Sequence, residues 1–254
     1  MPLLNQYAGH HKLDQTLFSR GVDFTNATLF APLWHPRSKV SPFTSFDKNS
    51  NTITVTGATW SWPYGYSFDV DDYLLIGGLD TFAFVQNSLI FSIEFVVKFN
   101  VPTTRQITMS NTDTSFEKGF YVIFENGVGK GTKAIELAAA RGNGVVIEGR
   151  SNDNSITDSG YHHVIITSSA AGDNLLFYID SILKTTTYTV NYTSLSSGDS
   201  TRTLAIGIDR SDLVSLPLGG VIGEIRIDNI AWPQAKVTQH YLAAKRRMPW
   251  ANLP

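Results

Sequence analysis

In Ile93-Glu94-Phe95-Val96-Val97-Lys98-Phe99 the four odd positions are all large and apolar, and Glu94 and Lys98 fall between them. Side chains alternate across a strand, so this period of two predicts a half-buried β-strand with one wet face. The pattern recurs where Ile225 and Ile227 alternate with Glu224, Arg226 and Asp228. Residues 121–124, 134–138, 145–147, 164–166 and 175–179 supply further β-rich runs. Gly127, Gly129, Gly131, Gly142 and Gly144 lie between them, where hairpin turns call for positive φ. Short strands punctuated by turn residues from Leu29 onward predict an all-β sandwich. One helix is expected over residues 234–247, with Pro233 at its start and Pro249 beyond its end. Lys245, Arg246 and Arg247 fall in its last turn, where they complement the helix dipole.

A chain of 254 residues can bury a large core as one domain without staples. It has no cysteine, so disulfides and thiolate metal sites are excluded. The net charge of -2 sets up no global field for nucleic acid or an anionic membrane. No apolar stretch approaches a membrane span, and no basic segment followed by an apolar run marks a secretory leader. The sequons at Asn26 and Asn191 matter only in a eukaryotic secretory route, which nothing else suggests. Residues 1–28 hold His10, His11, Lys12, Asp14 and Arg20 with few β-branched residues, and read as an arm or extended lead-in. The sandwich is expected over 29–254.

Three segments in order resemble the LamG-like jelly-roll group of the concanavalin A-like lectin/glucanase superfamily. The first runs from Tyr66-Ser67-Phe68-Asp69-Val70-Asp71-Asp72-Tyr73-Leu74 to Phe91-Ser92-Ile93-Glu94-Phe95-Val96-Val97-Lys98. The second is Gly160-Tyr161-His162-His163-Val164-Ile165-Ile166-Thr167 followed by residues 175–180. The third is Leu204-Ala205-Ile206-Gly207, then Gly219-Gly220-Val221-Ile222-Gly223-Glu224-Ile225-Arg226-Ile227-Asp228-Asn229, then the terminal helix. The resemblance implies a two-sheet antiparallel jelly-roll sandwich. Three departures thin any inherited ligand site: Tyr161 replaces the usual Trp, Ser181 replaces Gly, and Gly223 stands where Asp is common.

The superfamily includes glycoside hydrolases, which need two carboxyls about 5 Å apart for a retaining mechanism. The nearest candidate is Glu224-Ile225-Arg226-Ile227-Asp228. Arg226 holds the middle place, and Glu224 and Asp228 would lie about 13 Å apart at strand rise. Glu94 has Val96 two residues on. A polar strand face balanced by Arg226 is the preferred reading, and no enzyme is expected.

Asp69, Asp71 and Asp72, with Asp209 and Asp212, are the candidate calcium ligands, since relatives carry Ca²⁺ in rim loops. Acids at such places also cap turns, and that reading comes first. No other cofactor is expected. His162 and His163 point to opposite faces of one strand and read as structural, while His35 and His240 are isolated in the sequence. Gly127-Val128-Gly129-Lys130-Gly131-Thr132 lacks the spacing of a phosphate loop.

Trp60-Ser61-Trp62-Pro63-Tyr64-Gly65-Tyr66 is the most suggestive binding feature. Exposed faces of Trp60, Trp62, Tyr64 or Tyr66 could stack on sugar or anchor a protein. Equally, Trp60 and Trp62 could alternate into the core. The expected function is a non-enzymatic binding or assembly module. Its resemblance to stand-alone modules of bacteriophage particles implies a virion role, as capsid decoration or tail adhesion protein, with the arm docking on the particle. A secreted carbohydrate-binding module is the alternative. The partner is then a protein on a viral particle or a glycan, neither nucleic acid nor membrane, and a homo-oligomer is compatible with both.

Overall fold

The structure is a computed structural model that describes residues 25–100, 105–113, 116–127, 131–142, 144–169, 174–190, 200 and 202–254. Most of the expected arm, with His10 and His11, lies outside the described residues, as do Gly129, Lys130 and Asn191.

In chain order the strands are β1 (Ala27–Pro32), β2 (Phe43–Thr44), β3 (Thr52–Thr56), β4 (Thr59–Ser61), β5 (Gly65–Phe68), β6 (Tyr73–Ile76), β7 (Ile90–Phe99), β8 (Gln106–Ser110) and β9 (Gly119–Gly127). They continue with β10 (Gly131–Ala140), β11 (Val145–Ser151), β12 (Tyr161–Ser169), β13 (Leu176–Ile179), β14 (Ile182–Lys184), β15 (Thr186–Val190), β16 (Leu204–Ile206) and β17 (Gly220–Asp228). A single turn of helix, α1 (Phe84–Asn87), precedes β7, and α2 (Gln234–Arg247) follows β17.

The strands form two antiparallel sheets. The first has eight strands in the order β14-β13-β12-β7-β17-β5-β4, with β1 also paired to β17. The second has nine in the order β15-β11-β10-β9-β8-β16-β6-β3-β2. This is the expected jelly-roll sandwich with one C-terminal helix.

The core lies between the sheets. Ile93, Phe95, Val97 and Phe99 from β7 face Val122 and Phe124 from β9 and Ile135 and Leu137 from β10. Phe99 and Phe124 meet at 4.4 Å between ring centroids. Each such side chain is worth about 1.5–3 kcal/mol of burial, so this interlayer dominates stability.

The outer face of the first sheet departs from expectation. β7 is not half-buried: Glu94 and Val96 are both fully buried. Helix α2 and the tail behind it cover this face, making a third layer. Val96 packs with Tyr241, Ala244, Met248 and Leu253, and Ile165 and Tyr178 pack with Trp232 and Val237. Polar strand positions therefore end up dry, and each needs a partner.

Candidate functional site

The partners under α2 are specific. Glu94 accepts hydrogen bonds from Nε2 of His163 at 2.7 Å and Nδ1 of His240 at 2.9 Å. Burial pushes the Glu94 carboxyl up, but His240 and His163 together hold it well below the usual carboxylate range. Glu224 is bound by Arg247 through Nε at 3.0 Å and through Nη2, and by the Trp34 indole at 3.3 Å. Burial alone would lower the Arg247 pKa, but the charge of Glu224 and its hydrogen bonds raise it above the ordinary value. Arg226 forks onto Asp228 at 2.7 and 2.9 Å, and Trp232 donates to the same carboxylate at 3.0 Å.

His240 is thus not isolated but joins the helix to the sheet. His35 is not isolated either: its Nδ1 accepts from the Arg37 backbone at 3.2 Å, and its ring meets Phe46 edge-on. His162 and His163 do point to opposite faces, and His162 binds Asp180 at 2.8 Å. Burial lowers the His162 pKa, but the bond to Asp180 raises it above its ordinary value. These polar groups are sealed under the helix or at a hairpin, so they hold the fold together.

The five candidate calcium ligands sit in turns. Asp69 caps the Val70 amide, and Asp72 accepts from the Asp69 amide at 2.9 Å. Asp71 has φ of 70°, as such turns require. Asp209 accepts from Thr112, Ser110 and the Ser211 amide. Asp212 accepts from Val214, Ser215 and the Ser215 hydroxyl. Among the described residues no group of three or more His, Asp or Glu side chains is arranged to hold a metal ion.

The aromatic cluster divides. Tyr66 is buried, with its hydroxyl on the Ser38 carbonyl at 2.5 Å. Trp60 packs against the core and donates to the Leu33 carbonyl at 2.8 Å. Trp62 is 65% exposed and Tyr64 43% exposed. Tyr64 meets Trp250 edge-on at 5.4 Å, and Trp250 meets Tyr161 edge-on at 5.2 Å. Tyr64, Tyr161, Lys98, Ser61 and Ser67 line a cleft of about 320 Å³. This is a surface of rigid aromatic edges with polar groups between them.

Gly223 explains how the tail reaches this cleft. It lies at a bulge in β17, between the residues paired to β5 and those paired to β1. A Cβ there would stand 3.2 Å from the Trp250 ring and 3.4 Å from the Met248 sulfur. The departure from the common Asp makes room for Trp250.

The second sheet carries polar side chains that the motif search passed over. Tyr121, Ile123 and Glu125 alternate on the outer face of β9, and Glu136 and Glu148 share that face on β10 and β11. Arg105 binds Glu125 at 2.6 Å, and the Tyr121 hydroxyl donates to Glu136 at 3.1 Å. Burial, then the charges of Glu125 and Glu148, push Glu136 up to about 7. Beside them runs a groove of about 480 Å³, whose lining includes Arg105, Phe116, Tyr121, Glu148 and Asp209. Alternation around Ile135 and Leu137 already places Glu136 on the outer face. The cross-strand register that gathers the three glutamates cannot be read from one strand.

The layers and these surfaces define a lectin-like jelly roll. The chain belongs to the concanavalin A-like lectin/glucanases superfamily, whose family model matches residues 68–238. The receptor-binding domain of botulinum neurotoxin D is similar in structure, with a TM-score of 0.61 and 12% identity over 85% of this chain and 52% of that one. The corresponding domain of the C/D mosaic serotype gives 0.59 and 12%, over 86% and 51%. The CBM40 module of the Ruminococcus gnavus IT-sialidase gives 0.46 and 11%, over 60% and 82%. At these identities the likeness is one of fold alone. The chain spans about half the length of the toxin domains it matches. No match is found among curated proteins.

Proposed function

We propose that this chain is a non-enzymatic binding module that takes a glycan on its Trp62–Tyr64 face. The observation that carries the reading is the exposure of Trp62 in the turn between Ser61 and Tyr64, two residues that line the cleft with Tyr161 and Lys98. An exposed indole stacks on the apolar face of a sugar ring, while Lys98, Ser61 and Ser67 can bond its hydroxyls. Membership of a superfamily that includes lectins as well as glucanases is compatible with it.

A second reading, glycoside hydrolysis, draws on Glu136 beside Glu125 and Glu148, because a carboxyl raised to about 7 beside other carboxyl groups is the pattern of a general acid. Glu125 and Glu136 lie fully beneath Arg105 and Tyr121, where a sugar oxygen does not reach them. Binding is therefore preferred. A virion location with residues 1–28 as the docking arm is a separate proposal. It predicts co-purification with particles that is lost when those residues are deleted.

A glycan array with the full chain tests the main reading. The expected result is a set of hits that Trp62→Ala removes without altering the melting transition. An array without hits, or hits indifferent to Trp62→Ala, overturns it. Turnover of aryl glycosides that is lost in Glu136→Gln would establish the second reading instead.

A further inference from the structure

We infer that the groove on the second sheet is a separate binding site for a small organic cation, an ammonium group held between the Phe116–Tyr121 aromatic wall and the carboxylate of Glu148. Its volume of about 480 Å³ suits a small ligand. The rings of Phe116 and Tyr121 lie 4.7 Å apart at 38° and both border the groove. Aromatic faces attract cations through their quadrupole, best where carboxylates stand nearby.

Charge selects the ligand. Among the described residues, Asp113, Glu148 and Asp209 line the groove against one cation, Arg105. Glu125 and Glu136 lie on the same side of the sheet just beneath, buried to 0% and 1%. Arg105 is committed to Glu125 Oε1, at 2.6 Å from Nε and 2.5 Å from a guanidinium nitrogen. Among the described residues, Oε2 of Glu125 and Oε2 of Glu136 have no hydrogen-bond partner. A buried carboxylate oxygen without a donor is costly, so this side of the sheet is short of positive charge. The charged or titratable groups facing Glu136 are Tyr121 and Glu125 from β9, Glu148 and Arg150 from β11, and Arg105 at the start of β8. With Glu136 itself, three carboxyl groups stand against two guanidinium groups, and a bound cation corrects the balance.

Protonation is coupled to this. Glu136 sits near 7 because of burial and of Glu125 and Glu148. A cation in the groove favours its ionised form, and reciprocally ionised Glu136 favours the cation. Affinity rises with pH through neutrality.

Choline and its uncharged carbon isostere, dimethylbutanol, form the test pair, since choline keeps its charge at every pH used. Titration of the full chain is followed by calorimetry and NMR at pH 8 and pH 6. Choline is expected to bind saturably at pH 8 and dimethylbutanol not. Glu148→Gln should weaken choline about tenfold, Tyr121→Leu should weaken it severalfold, and Trp62→Ala should leave it unchanged. Wild-type affinity should fall severalfold from pH 8 to pH 6, and Glu136→Gln should flatten that dependence. Equal binding of the two probes, no saturable binding, or indifference to Glu148→Gln in a variant with an unaltered melting transition overturns the site. A wild-type affinity independent of pH overturns the part given to Glu136.

Discussion

The buried carboxylate of Glu94, at the middle of β7, accepts a hydrogen bond from Nδ1 of His240 on α2 across 2.9 Å. With His163 on its other oxygen, Glu94 is the post to which the C-terminal helix is tied.

Removing that post should loosen the helix. Glu94→Ala leaves two buried imidazoles without an acceptor and should cost about 3–5 kcal/mol, by analogy with other broken buried pairs. Urea unfolding at neutral pH measures it. A loss under 1 kcal/mol would contradict the role assigned.

The same carboxyl has a pH signature. Its pKa is held down in the fold, so its contribution is present above the unfolded value near 4.5 and is lost as pH falls through the folded value. Stability measured from pH 7 to pH 2 should show this acid decline, and Glu94→Gln should remove part of it. An identical acid limb in both proteins would refute the assignment.

Glu136 behaves in the opposite sense. Its folded value of about 7 lies above the ordinary 4.5, so the unfolded chain gives up its proton first. Stability falls as pH climbs from about 4.5 to about 7 and stays lower beyond. Glu136→Gln has no proton to lose and should be more stable above pH 7 by up to roughly 3 kcal/mol. The advantage should vanish below pH 4. Thermal melts at the two extremes decide the matter.

The bulge at Gly223 gives a steric prediction. Gly223→Asp puts side-chain atoms where Trp250 and Met248 now lie. The tail should lift from the cleft, with a redder Trp emission and a loss of about 1–3 kcal/mol. Unchanged emission and stability would show that the tail adapts.

At the β13–β14 hairpin Asp180 has φ of 53° and Ser181 φ of 68°. A two-residue turn with both φ positive favours glycine at its second place. Ser181→Gly should therefore stabilise the protein by about 1 kcal/mol. A destabilised variant would mean that the serine side chain makes up for its backbone.

Much of the fold was legible because alternation is local. Ile93 to Phe99 and Ile225 to Ile227 declare their inner faces from spacing alone. The helix over 234–247 was marked by prolines at its borders. What could not be read was what lay against the other face. Glu94 and Glu224 look like solvated positions until α2 folds over them, and the residues that neutralise them, His240 and Arg247, are 146 and 23 positions away. The aromatic segment was legible only in part, since neither alternation nor turn residues say that Trp62 stays outside while Tyr66 goes in. The three outer glutamates of the second sheet were in view one strand at a time, and only the pairing of β9, β10 and β11 brings them together.

The helix laid on the first sheet has a consequence for how this chain can change. Much of the central stretch of that sheet has neighbours on both sides, so a substitution at Val96 or Ile165 disturbs a packed layer as surely as one at Phe95. A saturation mutagenesis map should show tolerance pushed to the margins and to the loop around Trp62. New specificities would be selected there, because only there can a side chain be exchanged without first unseating a layer.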